Sequence, residues 1–115
     1  MTERLFRVTV RGFFDQLTPA QKAELLEQAQ HHDPLHARFT EEGHLAYEIE
    51  ARTAFTFRFL DSGKEEADIT RATERAQVRA AEWLSQRGYA FKNLRAQAED
   101  LSQAPIGRSQ RRRAS

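Results

Sequence analysis

In the stretch LFRVTVRGFF, residues 5–14, apolar and polar side chains alternate. Phe6, Val8 and Val10 fall on one face, and Arg7, Thr9 and Arg11 on the other. A period of two predicts a half-buried strand, which Gly12 either weakens at its end or breaks with a bulge. The pattern then changes. Thr18 stands as an N-cap, Pro19 takes the first helical position, and Gln21 completes a capping box. The helix this predicts buries Ala23, Leu26 and the Ala29–Gln30 pair, with Ala20 and Leu25 at the margin. Asp33-Pro34 stops it. In HARFTEEGHLAYEIE, Glu41-Glu42-Gly43 predicts a turn, followed by a strand with Leu45, Tyr47 and Ile49 on one face and Ala46, Glu48 and Glu50 on the other. A break at Ala51-Arg52 leads into a third strand, Thr53 to Leu60. Ile69, Ala72, Ala76, Ala80, Trp83 and Leu84 recur at helical spacing and predict a helix from about Asp68 or Thr70 to Arg87, with Gly88 at its C-terminal cap. A final strand is expected from Tyr89 to about Ala96. The order β-α-β-β-α-β is that of a ferredoxin-like α+β sandwich, with an antiparallel sheet and both helices on one face. One domain is expected over residues 1–101, and a flexible Arg-rich tail over 102–115.

Phe55, Phe57 and Phe59 occupy alternate positions on the third strand. In RNA-recognition domains, aromatic residues so placed stack on bases. Turning them outward here would drive Thr56 and Arg58 under the helices, and an unpaired buried arginine costs several kcal/mol. The first strand gives the same answer, because exposing Phe6, Val8 and Val10 would bury Arg7 and Thr9. A change of facing flips every side chain of a strand. The rings are therefore assigned to the core.

The opposite face then carries Leu5, Arg7, Thr9, Arg11 and Phe13 from the first strand, and Thr56, Arg58 and Leu60 from the third. Arginines clustered in mid-sheet repel one another and require an offset. Three offsets are open: Glu48 and Glu50 as cross-strand partners, sheet-to-sheet dimerisation over Leu5, Phe13 and Leu60, or an anionic ligand. Arg7, Arg11 and Arg58 suit the last, since a guanidinium grips carboxylate or phosphate with a planar fork, and Thr9 adds a hydroxyl donor.

Composition narrows the remaining chemistry. Eighteen Lys and Arg balance 17 Asp and Glu, a net charge of +1, which disfavours a general nucleic-acid binder. For nucleic acid, only the tail arginines Arg108, Arg111, Arg112 and Arg113 form a cluster that can contact backbone phosphates. The chain has no cysteine, hence no thiol nucleophile and no disulfide. No apolar run reaches membrane-spanning length and the first residues do not read as a signal peptide, so a cytoplasmic protein is expected. His31, His32 and His36 resemble a metal tract, but Pro34 prevents His32 and His36 from sharing a helical face, and no metal or cofactor is expected. The DSGKEEAD loop lacks the glycine and hydroxyl pattern of a phosphate-binding loop, and no serine sits in a nucleophile elbow.

The segments FRVTVRGFFDQLTPAQKAELL, FTFRFLDSGKEEADI and WLSQRGYAFKNLRAQAEDLSQAPIG resemble those of a family of short, uncharacterised actinobacterial proteins, a domain of unknown function. The resemblance covers most of the chain except the Arg-rich tail. It implies a stand-alone bacterial cytoplasmic domain and brings no catalytic residues with it. The leading expectation is a non-catalytic or accessory module that binds an anionic small molecule through Arg7, Thr9, Arg11 and Arg58, as a homodimer. The alternatives are a small cofactor-free enzyme of the dimeric α+β barrel type, using His44, Tyr47 or Trp83, and a purely structural homodimer or interaction protein.

Overall fold

A computed structural model describes residues 3–101. The Arg-rich tail lies outside the described residues. Four strands and two α-helices follow in the order β1 (Arg4–Phe14), α1 (Pro19–Glu27), β2 (His44–Tyr47), β3 (Ala54–Gly63), α2 (Asp68–Gln86) and β4 (Phe91–Asp100). The strands form one antiparallel sheet in the order β2-β3-β1-β4. β1 and β3 are its central pair, in register from Arg4↔Gly63 to Phe13↔Ala54. The result is a small α+β protein.

One sheet face is covered. Phe6, Val8 and Val10 are fully buried, and Phe55, Phe57 and Phe59 nearly so. They share a core with Leu25 of α1 and with Ala72, Ala76, Ala80 and Leu84 of α2. The small α2 residues let the helix settle closely on the rings, and each buried phenylalanine contributes about 2–3 kcal/mol over an exposed one. The alternation in β1 and β3 thus sends the rings under the helices, as the sequence predicts.

Helix starts and stops also follow local chemistry. The Thr18 side chain accepts from the Gln21 amide at 3.1 Å, and the Gln21 side chain accepts from the Thr18 amide at 3.0 Å. α2 ends with Gly88 at φ 76°. There the Tyr89 amide bonds to the Leu84 carbonyl and the Gly88 amide to that of Ser85, the paired bonds of a Schellman cap. Tyr89 therefore belongs to this cap, not to the last strand. β4 starts later than expected and runs on to Asp100, because β1 offers it a ladder from Phe14↔Phe91 to Phe6↔Asp100. The register shift between Arg11 and Phe13 advances two residues on β1 and three on β4, so the bulge lies on β4 opposite Gly12, where Asn93 takes φ 56°, and Gly12 itself stays in register with Phe55.

Two expectations fail. α1 buries Leu25, while Leu26 is 39% exposed and Ala23 is exposed. The helix stops at Glu27 and gives way to 3-10 turns at Ala29–His32 and Pro34–His36, so no continuous stripe reaches Gln30. The Tyr47 hydroxyl donates to the Leu25 carbonyl at 2.6 Å and ties α1 down at that phase. β2 ends at Tyr47. The Glu48 carbonyl accepts from the amides of Ala51 and Arg52, which closes a turn. Glu48 and Glu50 are exposed on that turn, and neither reaches an arginine of the sheet.

Candidate functional site

With the rings beneath the helices, the other sheet face is read row by row from the ladder. One row holds His44, Arg58, Thr9 and Gln97, from β2 to β4. The next holds Ala46, Thr56, Arg11 and Arg95. A third holds Leu60, Arg7 and Glu99. All four predicted binding residues, Arg7, Thr9, Arg11 and Arg58, come together on this face.

Their surroundings differ. Arg7 lies 3.8 Å from the Glu99 carboxylate, and its guanidinium stands over the Phe39 ring at 5.3 Å. Phe39 reaches the open face because the next residue, Thr40, docks beside β3 and accepts from the Leu60 amide at 2.7 Å. Arg11 has no such carboxylate. It pairs across the strands with Arg95, a like-charge contact that opposes sheet formation. Arg11, Arg95 and Arg52 border a concavity of about 400 Å³, together with Thr9, Thr56 and Phe13. A second hollow of about 370 Å³ lies beside it, between Arg7, Phe39, Gln97 and Glu99.

Arg58 is the most constrained of the set. Its Nη1 is buried without a hydrogen-bond partner, and so is Nδ1 of His44, its neighbour across the β2–β3 ladder. Burial, and then the charge of Arg11, lower the Arg58 pKa from its ordinary value. Burial also lowers that of His44, followed by the charges of Arg38 and Arg58. Burial is the leading cause for both, and neighbouring guanidinium charges add to it.

The arginines of the described residues divide by location. Arg4, Arg7 and Arg75 have carboxylate partners, Asp100, Glu99 and Asp61. Arg79 and Arg87 donate to backbone carbonyls, of Glu41 and Trp83, and Arg71 feels Asp68. Arg11, Arg38, Arg52, Arg58 and Arg95 have no anionic partner among the described residues. Each of the five is on the open face or beside it.

The residues expected of an enzyme do not converge. Tyr47 points into the core, where burial pushes its pKa up to about 12. Trp83 packs between Phe57 and Tyr89 on the helix side, with the Arg87 guanidinium 3.9 Å from its ring centre. His44 is on the opposite face. No group of three or more metal-ligating side chains occurs among the described residues. No described helix is long and apolar enough to cross a membrane.

Arg52, Arg95 and Phe39 were not foreseen. Arg95 was within reach of sequence reasoning, because Leu94, Ala96 and Ala98 alternate with Arg95, Gln97 and Glu99 on β4. The turn that brings Arg52 in and the loop that brings Phe39 in have no such periodic signal.

The fold and this face define a small α+β protein with an arginine-lined open sheet. The chain belongs to DUF6204, a family of unknown function whose model matches residues 1–112. That match includes much of the Arg-rich tail, which the resemblance read from the sequence left out. No curated protein and no solved structure matches the chain.

Proposed function

We propose that the protein is a ferredoxin-like binding module whose open sheet face takes an anionic small molecule. One observation carries the reading: the arginines met by neither a carboxylate nor a backbone carbonyl are gathered on or beside that face, while those elsewhere in the described chain have one or the other. Like charges across a sheet destabilise it. An arrangement that keeps Arg11 opposite Arg95, with Arg58 next to them, is offset when an anion supplies the missing charge. Arg7, held by Glu99 and Phe39, borders the site, and Thr9 and Thr56 supply hydroxyl donors to an anion gripped by Arg11 and Arg58.

A homodimer through the same face is the second reading. Leu5 and Phe13, 43% and 41% exposed on this side of β1, favour it. Such a dimer sets two guanidinium groups of sites against each other, so it depends on an anion between them.

Thermal unfolding across a panel of carboxylates and phosphates tests the first reading. A ligand at 100 times its Kd adds about 2.7 kcal/mol of stability. The expected result is a rise in Tm that the Arg11→Ala/Arg58→Ala double variant loses while still unfolding cooperatively. A whole panel without a shift refutes the proposal.

A further inference from the structure

The unmatched cations form two groups. Arg58 and Arg38 make up one, joined through the neutral ring of His44, which pairs with Arg58 across the strands and feels the charge of Arg38. Arg11, Arg95 and Arg52 make up the other, around the concavity. Arg58 lies two residues from Thr56 on β3, and Thr56 pairs with Arg11. Two residues along a strand span about 7 Å. A single carboxylate accepts one or two guanidinium forks, so it satisfies one group and leaves the other unbalanced. Between the groups lie Thr9 and Thr56, which offer methyl surface and hydroxyls but no charge.

From this geometry we infer that the ligand is a small dianion with its two anionic groups about 7 Å apart, one at Arg58 and His44 and the other at Arg11 and Arg95. The inference rests on the anion-binding reading and narrows it to a ligand class. The donors in the two rows are not equivalent. Gln97 lies across Thr9 from Arg58, so that row ends in a neutral amide, while the other row offers guanidinium groups from two facing strands. A short dicarboxylate with an aliphatic or aromatic spacer meets these requirements.

Titration calorimetry at constant ionic strength tests it with malonate, succinate, glutarate and adipate, against propionate and valerate as monoanions and pyrophosphate as a compact polyanion. Affinity is expected to rise along the dicarboxylate series. The best dicarboxylate should exceed valerate by about tenfold or more, one further charge-assisted contact. Arg58→Met should bring the dicarboxylates down to the level of valerate and leave valerate within about twofold of its wild-type affinity, because the Arg11 group still holds a single carboxylate. Arg95→Gln, at an exposed position, provides the same comparison from the other end should Arg58→Met fold poorly. Equal affinity for dicarboxylates and monoanions overturns the two-group inference and leaves the anion-binding reading standing. Pyrophosphate binding more tightly than every dicarboxylate makes total charge decisive and overturns it too. Binding of no anion at all removes both.

Discussion

Arg58 is held at a cost in the unliganded protein, and its replacement by methionine measures that cost. Methionine keeps an unbranched apolar stem on the sheet and removes the charge. Two penalties disappear. The buried Nη1 no longer lacks an acceptor, worth about 1–3 kcal/mol for a fully desolvated donor. The repulsion from Arg11 also goes, worth about 0.2–1 kcal/mol for neighbours across strands. Arg58 as a whole is only half-buried, so the lower ends of these ranges apply and the expected gain is about 1 kcal/mol. For a chain of 115 residues that corresponds to a Tm higher by about 3–6 °C. Circular dichroism melts in a zwitterionic buffer with chloride as the only anion measure it, and urea midpoints check that the gain is thermodynamic. The order should reverse when a tightly bound dianion is added at a concentration well above its wild-type Kd, since the wild-type protein binds it more tightly and gains more from it. An Arg58→Met protein that melts at or below the wild-type temperature in chloride would refute the claim that this arginine is retained at the expense of stability.

Two further outcomes are expected. Burial lowers His32 and His44 from their ordinary value of 6.5, so the folded protein holds these rings neutral. The unfolded chain then binds more protons just below that value, so the stability they contribute is present above 6.5 and is lost as the pH falls through the lowered folded-state values. Urea midpoints should therefore drop between about pH 7.5 and pH 5, and a His32→Gln/His44→Gln variant should show a flatter profile; an equally steep profile in that variant assigns the loss elsewhere. On α1, Leu25→Ala should cost about 2–4 kcal/mol and Leu26→Ala less than about 1 kcal/mol, read from denaturation midpoints; similar costs at both positions would mean that Leu25 is not the residue anchoring the helix.

What the sequence determined by itself is the facing of the sheet. A period of two in β1 and β3 sends Phe6 and Phe57 one way and Arg7 and Arg58 the other, and only one of the two choices avoids burying bare charge. The start of α1 and the end of α2 were equally legible, because Thr18, Gln21 and Gly88 act through bonds to residues a few positions away. The phase of α1 was not, since it depends on Tyr47 reaching the Leu25 carbonyl from another element. The charge balance of the open face was decided by tertiary structure alone. Glu48 and Glu50 alternate correctly for cross-strand partners, yet the Glu48–Arg52 hydrogen bond ends the strand before they can serve. Arg95 meets Arg11 from the far end of the chain, and its place depends on the register between β1 and β4. Alternation assigns a side chain to a face, but which charges stand next to each other there depends on pairings between distant segments, and those form only when the chain has folded.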